Sequence, residues 1–367
     1  MRVLFSKPHL DAAELDLVLR LHEKGVFVRV LAAKNSLGHQ QLAAKGLFIE
    51  AATIKGKLQP RLIAQMRGLI RALNISIIHA TDSASLSNAL FATLFTRTRV
   101  IGYRGTLSRI RRLDPTYWLG ILNPRVRKIF CVSSSVHDYL AKFIDPRKLV
   151  LNPKGFDRDW LESSVTHVQS PSRTRLTAVF IGNARNRPYK GLDSVIRAFH
   201  IANHPECSLV IAGAYDDHIP TLVAGGAAAQ RIHLLGQKPG AASLLRSADI
   251  YIQPSLREGL PRSVKEAMAA SVPIIATRIP GNTDLIEHGR SGLLVPPASP
   301  ESMANALLTL CESPGLRAKL GQTARRRLET HFSPSDHASR TLQVYQEVHT
   351  SGSRIPGPVR PAAFSQR

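Results

Sequence analysis

Short apolar runs alternate with longer amphipathic stretches along most of this 367-residue chain, and that alternation limits the architectures open to it. Arg2–Ser6 reads as a strand, Asp11–Lys24 as a helix ended by Gly25, and Phe27–Ala32 as the next strand. Leu58–Leu73 has apolar residues at helical spacing and leads into a strand at Ile75–His79. Val100–Tyr103 and Lys128–Val132 are further strands, and Ser134–Phe143 a helix. A polar, poorly periodic break follows near residues 155–175. The alternation then restarts with strands at Leu176–Ile181, Ser208–Ala212, Arg231–Leu235, Asp249–Ile252 and Pro273–Ala276. Helices at Glu301–Glu312, Leu316–Thr330 and Ser335–His349 close the series. This order predicts an α/β fold with two doubly wound domains, 1–160 and 161–334, each a parallel sheet covered on both faces. Ligands of such sheets bind at the carboxyl ends of the strands, so a cleft facing those ends is the expected site. The tail 351–367 has Gly, Pro and Arg but no acids, and reads as disordered.

Charge bounds the partners. The formal net charge is +23, with 26 basic against 11 acidic side chains in residues 1–160 and 23 against 15 in the remainder. Such a field favours polyanions: nucleic acid, an anionic membrane face or a phosphorylated acceptor. Cys131, Cys207 and Cys311 are widely spaced and show no zinc or redox spacing, which suits a reducing cytoplasm. The opening Met1-Arg-Val-Leu-Phe reads as a strand rather than a secretory signal, and no apolar run reaches the ~18–20 residues of a membrane span. The expected location is cytoplasmic, with a possible peripheral position on the inner face of the membrane.

One segment carries most of the functional information. Glu258 and Glu266 stand eight positions apart, in a strand–loop–helix stretch running from Asp249 to Met268. Pro254 ends the strand, Pro261 suits the first turn of a helix, and Gly259 lets the backbone approach a ligand closely. Free N–H groups at the helix start attract an anion, while carboxylates accept hydrogen bonds from sugar hydroxyls. Two carboxylates flanking an anion-binding helix start suggest a nucleotide-sugar site; two solvated or capping glutamates are the plainer alternative. A second segment, Gly182-Asn-Ala-Arg185-Asn-Arg187-Pro-Tyr-Lys190-Gly191, follows a strand and opens a helix. Its arginines and lysine make a candidate diphosphate clamp, with Lys190 and either Arg185 or Arg187 as the grips.

The run Pro254-Ser255, Glu258-Gly259-Leu260-Pro261, Glu266-Ala-Met-Ala269, Pro280-Gly281 and Gly289-Arg-Ser-Gly-Leu-Leu-Val295 closely resembles the donor-site signature of family 4 glycosyltransferases. These are retaining enzymes with two Rossmann-like domains (the GT-B fold) and a Glu-x7-Glu motif. The resemblance is dense from Leu234 to Val295 and weaker across Met1–His349. Ser271 stands where the family usually has Gly, and Asp284 where it usually has Glu. The resemblance implies that Glu266 accepts the ribose hydroxyls and Glu258 contacts the donor sugar near its reacting end. It further implies that amides around Gly259 and Leu260 hold phosphate, that Gly182 and Arg187 belong to the donor loop, and that Gly236-Gln237 contacts the base. It also implies that the helix 335–349 crosses back to the first domain. No metal or cofactor is expected; the adjacent pair Asp216-Asp217 reads as a solvated loop.

The first domain is less clear. His79 and Arg104 end strands and are candidate catalytic residues, although a lone His is more often structural and Arg104 cannot act as a base. Ser6-Lys7-Pro8-His9 replaces the family's usual Gly-Gly segment, leaving Lys7 and His9 as acceptor-side candidates. Arg97, Arg99, Arg104, Arg109, Arg111 and Arg112 precede Tyr117-Trp118, and Arg125, Arg127 and Lys128 follow, a pattern that fits an anionic membrane surface. The expected function is retaining transfer of a sugar from a nucleotide-sugar donor, UDP-linked, to a glycan or lipid-linked acceptor in cell-envelope polysaccharide or lipopolysaccharide assembly. Alternatives are a sugar-nucleotide 2-epimerase or phosphorylase of the same architecture. A nucleic-acid-binding protein is disfavoured because no binding module or aromatic array accompanies the charge.

Overall fold

The computed structural model describes residues 1–52, 56–157, 159–162, 167–171 and 174–351. Residues 352–367 of the expected disordered tail, and 158, 163–166 and 172–173 of the polar break, lie outside the described residues. Thirteen strands form two sheets among the described residues. The first holds β1 (Arg2–Ser6), β2 (Phe27–Ala32), β3 (Phe48–Glu50), β4 (Ile77–Ala80), β5 (Arg99–Arg104), β6 (Val126–Cys131) and β7 (Leu149–Leu151), in the order β3-β2-β1-β4-β5-β6-β7. The second holds β8 (Leu176–Ile181), β9 (Cys207–Ala212), β10 (Ile232–Gly236), β11 (Ile250–Gln253), β12 (Ile274–Thr277) and β13 (Leu293–Val295), in the order β10-β9-β8-β11-β12-β13. All five pairings of the second sheet are parallel, as are those from β3 to β5 in the first. The α/β, doubly wound reading therefore holds.

The chain forms two compact units: Met1–Tyr103 with Arg111–Phe130 and Ala338 onward, and Arg104–Ile110 with Cys131–His337. In the first, the helix Ala12–Glu23 is started by a capping box. The Asp11 carboxylate accepts from Glu14 N, and Glu14 accepts from Asp11 N, each at 3.0 Å. Among the elements that escape the sequence pattern are the helix Ser83–Ala92, buried almost all round, and the short strands β3, β7 and β13.

In the second unit both faces of the sheet are covered, which is why its strands read as continuous apolar runs. Ala178 and Phe180 of β8 and Ile250 and Ile252 of β11 pack with Val195, Ile196 and Phe199 from the helix Leu192–Ala202. Met303, Leu307 and Leu310 from the helix Pro300–Glu312 complete that layer. On the opposite face Tyr251, Ile274 and Ala276 meet Val264, Ala267 and Met268 from the helix Arg262–Ala269, with Leu328 and Phe332 behind. Each large apolar side chain taken fully from water in these layers contributes about 1.5–3 kcal/mol.

The family-unusual Ser271 has a physical cost. Its φ is +57°, where a side chain costs about 1–2 kcal/mol relative to Gly. Close packing holds that backbone in place, because a Cβ on Gly321 would lie 1.9 Å from the Ser271 carbonyl oxygen. Ser271→Gly removes the strain while the more flexible unfolded chain takes back about 0.4–1 kcal/mol. We expect a net gain of roughly 0.5–1 kcal/mol, read as a higher urea midpoint with unchanged slope. A lower midpoint would contradict this strain argument.

Candidate active site

The second sheet reverses its strand order between β8 and β11, which are neighbours in space but separated by two strands in sequence. Such a switch point leaves an opening at the carboxyl ends of the strands. The loop after β8 (182–191) and the loop after β11 (254–261) leave from there. They are locked together by backbone contact. Gly191 has φ +71°, and a Cβ there would lie 2.2 Å from the Pro254 carbonyl oxygen. Leu256 N donates to Tyr189 O at 2.7 Å, and the Arg257 guanidinium lies 4.6 Å from the centre of the Tyr189 ring.

This lock brings Lys190 Nζ to 2.7 Å from Glu258 Oε1, between side chains only 21 % and 11 % exposed. Ser255 Oγ donates to the same oxygen at 2.8 Å and Gln253 Nε2 at 3.0 Å. The helix expected to begin at Pro261 runs over Arg262–Ala269, with Pro261 as its N-cap. No side chain among the described residues caps it, which leaves its first N–H groups open to an anion. Glu266 is the fifth helical residue and is 7 % exposed. Burial raises its pKa above the ordinary 4.5, opposed by the charge and hydrogen bond of Arg262, whose Nε donates to Oε1 at 2.9 Å.

A third loop, after β12, completes the floor. Asn282 Nδ2 donates to Thr277 O at 2.9 Å and to Thr277 Oγ1 at 3.1 Å, and Thr277 Oγ1 donates to Ser255 O. A Cβ on Gly281 would lie 2.8 Å from Gly259 O, and one on Gly259 would lie 2.0 Å from Gly105 O. Gly259 therefore serves close packing against residues 105–106. Asp284, where the family usually has Glu, accepts from Gly281 N at 3.1 Å, Ser134 N at 2.9 Å and Ser135 Oγ at 3.0 Å.

The remaining candidates fall in different places. Arg185 is exposed with Nε donating to Tyr215 O at 3.2 Å, whereas the exposed Arg187 makes no side-chain hydrogen bond among the described residues and is held by its backbone, N donating to Ala184 O at 2.8 Å. Asp216 is structural rather than merely solvated: its Oδ1 accepts from Asn186 N at 2.8 Å and braces the loop that carries Lys190. Gly236 has φ +65° and its carbonyl accepts from Gly213 N, with Gln237 exposed beside it. Leu260 is half-buried and packs against the Val264 layer.

Two catalytic candidates sit in packed or self-bonded surroundings. His79 is 3 % exposed and boxed by the rings of Phe5, Phe130 and Tyr345, with Nδ1 2.6 Å from Tyr345 Oη. It is a core residue because the late helix Pro334–Thr350 fills the space beyond the strand end. Arg104 spends its guanidinium on its own loop, donating to Thr106 O at 3.0 Å and to Ser108 O and Oγ at 2.7 Å. On the acceptor side, Lys7 is ion-paired with Glu14 at 2.5 Å and Asp11 at 3.8 Å, while His9 is exposed. The sequence reading gave no role to Gln253, Tyr251 or Ser263, and quoted Ser255 only within the motif. Its available signal was a glutamine ending an otherwise apolar strand.

Two doubly wound units, with a paired Lys–Glu and an open helix start at the switch point of one of them, define the GT-B class of glycosyltransferase. Comparison with known proteins agrees. The sequence profile described as Glycosyltransferase Family 4 matches residues 15–160, and that described as Glycosyl transferases group 1 matches residues 167–327. The chain belongs to the family 4 glycosyltransferases. It is 27 % identical over 312 residues to a phosphatidyl-myo-inositol mannosyltransferase of Mycobacterium leprae, covering 82 % of this chain and 80 % of that one. A glycosyltransferase from Rickettsia africae has a similar fold, with a TM-score of 0.79 at 20 % identity, covering 95 % of this chain and 98 % of that one. Anabaena HepE, solved in complex with UDP, gives a TM-score of 0.78 at 18 % identity, covering 95 % and 100 %.

Proposed function

We propose that this glycosyltransferase moves a hexose-type sugar, with retention of anomeric configuration, from a UDP-sugar to a hydroxyl of a glycan or lipid-linked acceptor in cell-envelope assembly. The observation that carries the reading is the Lys190–Glu258 pair at the uncapped start of the helix that buries Glu266. Glu266 takes the ribose hydroxyls. Lys190, Arg187 or Arg185, and the N–H groups around Gly259 and Leu260, take the diphosphate. Glu258 takes the sugar, and Gly236-Gln237 faces the base. Charge that builds on the departing diphosphate is met by fixed donors, the largest usual source of rate enhancement. The donor's own phosphate then serves as the base that accepts the acceptor proton. The UDP bound to the Anabaena protein supports the choice of donor, and the mycobacterial relative, named for phosphatidyl-myo-inositol, supports a lipid-linked acceptor.

The test is turnover of a panel of nucleotide sugars with simple alkyl glycoside acceptors, followed by NMR of the new anomeric proton. An α-linked donor should give an α-linked product. A β-linked product would sink retention, and an epimerised nucleotide or a sugar phosphate without a new glycoside would sink transfer.

A membrane contact is proposed on a separate observation in the first unit. Phe95 is 102 % exposed, Leu113 98 % and Trp118 51 %. Arg125 donates to Leu90 O and Thr93 Oγ1, two residues before Phe95, and Trp118 Nε1 donates to Arg112 O, next to Leu113 in sequence. No helix among the described residues is long and apolar enough to cross a membrane. Flotation with phosphatidylglycerol vesicles should show binding at low salt, each cation adding roughly 1 kcal/mol, and Leu113→Asp should weaken it. No binding to anionic vesicles would remove this contact.

A further inference from the structure

The geometry points to Gln253 as the positioning residue that sets Glu258 for the donor sugar, held in turn by Tyr251 and Ser263; this rests on the donor-site reading above. Among the described residues, the hydrogen-bond and ion-pair partners of the Glu258 carboxylate converge on one oxygen. Lys190 Nζ, Ser255 Oγ and Gln253 Nε2 all meet Oε1, at 2.7, 2.8 and 3.0 Å, and none meets Oε2. One oxygen is an anchor and the other is left for a ligand.

The anchor is itself fixed. Gln253 is 2 % exposed at the end of β11, and its amide oxygen accepts from Tyr251 Oη at 2.6 Å and Ser263 Oγ at 3.3 Å. With Oε1 held that way, Nε2 faces Ser255 and Glu258. The opposite amide orientation would aim an oxygen lone pair at the carboxylate, so the negative charge selects the orientation. Tyr251 is fully buried, which holds its phenol neutral and able to donate. The chain Tyr251–Gln253–Glu258 thus runs from the core of the sheet to the mouth of the site, and each member orients the next. A carboxylate reached by a mobile ammonium alone would rotate; the amide, fixed from behind, prevents that. An apolar residue at position 253 would fill the strand end equally well, so burial alone does not call for an amide there.

The test uses the full chain with Gln253→Leu, Gln253→Glu and Tyr251→Phe, comparing donor turnover with calorimetric affinity for uridine diphosphate. Gln253→Leu should lower kcat/KM for the nucleotide sugar about 10- to 100-fold, the scale of a misplaced reacting group. Its affinity for uridine diphosphate should stay within about twofold of wild type, since that ligand lacks the sugar Glu258 holds. Tyr251→Phe should show a smaller loss in the same parameter. Gln253→Glu is near-isosteric and serves even if the leucine variant fails to fold. At about pH 8 its new carboxylate repels Glu258 and activity falls; towards about pH 5 the protonated form donates as the amide did, and activity recovers relative to wild type. A donor kcat/KM in Gln253→Leu within about twofold of wild type, or a loss in Gln253→Glu that no acid restores, overturns the inference. A wild-type protein inert towards every nucleotide sugar overturns the donor-site reading itself, and is seen before any variant is made.

Discussion

Lys190→Ala should lower kcat by roughly 100- to 1000-fold, the effect of removing one fixed donor from developing transition-state charge. The effect belongs in kcat because the diphosphate carries most negative charge as its bond to the sugar breaks. Lys190 is positioned for this by a backbone lock, Gly191 against Pro254, rather than by its own flexible side chain. Its removal also leaves Glu258, among the described residues, with Ser255 and Gln253 as donors, and a loss of about 1–3 kcal/mol in stability accompanies the kinetic defect. Lys190→Arg keeps the charge and the fold, and should recover part of the rate only, since a planar fork does not match the single short bond to Oε1. Steady-state kinetics alongside urea unfolding separates the two effects. A Lys190→Ala enzyme with kcat within about threefold of wild type would remove Lys190 from the reaction.

The second large effect concerns Glu266. Glu266→Gln should weaken nucleoside diphosphate binding roughly 10- to 100-fold, as expected when hydrogen bonds to a charged acceptor are replaced by neutral ones. Acid gives a further signature. Burial raises the Glu266 pKa above 4.5 in the folded state, with Arg262 opposing. The folded protein therefore holds this proton at pH values where the unfolded chain has released it. Stability from this group is greatest below about 4.5 and declines as pH rises through the raised value. Binding has the opposite sign, because ribose hydroxyls donate to the ionised carboxylate. Wild-type affinity should fall as pH drops through that window, and Glu266→Gln should be flat there. Calorimetric titration across the acid range checks both; a glutamine variant that binds as well as wild type would discard the ribose role.

Much of the fold was legible because both sheets are buried on both faces, which leaves strands such as Leu176–Ile181 as unbroken apolar runs. What stayed hidden was burial of polar residues. The helix Ser83–Ala92 carries three serines and Asn88, and the sequence pattern assigns it no element. In the structure Asn88 is buried, accepting from Gln59 N and donating to Gly56 O and Ala84 O. The site shows the same pattern. Glu258, Glu266 and Lys190 were readable because their spacing and Gly–Pro surroundings are local. Gln253 was not, because its role depends on Ser263, which approaches it only once the helix Arg262–Ala269 packs on the sheet, and on the burial of Tyr251 beside it on the same strand face. His79 shows the reverse case. A polar side chain at a strand end suggests a ligand, but Tyr345, distant in sequence, occupies that space.

A crystal structure with a bound nucleoside diphosphate sugar tests the central claim most directly. The account predicts the diphosphate within hydrogen-bond reach of Lys190 and the N–H groups that start the helix Arg262–Ala269. It also places the ribose hydroxyls on Glu266 and the sugar on Glu258 Oε2. A donor bound elsewhere, or bound there with its ribose turned away from Glu266, would contradict it.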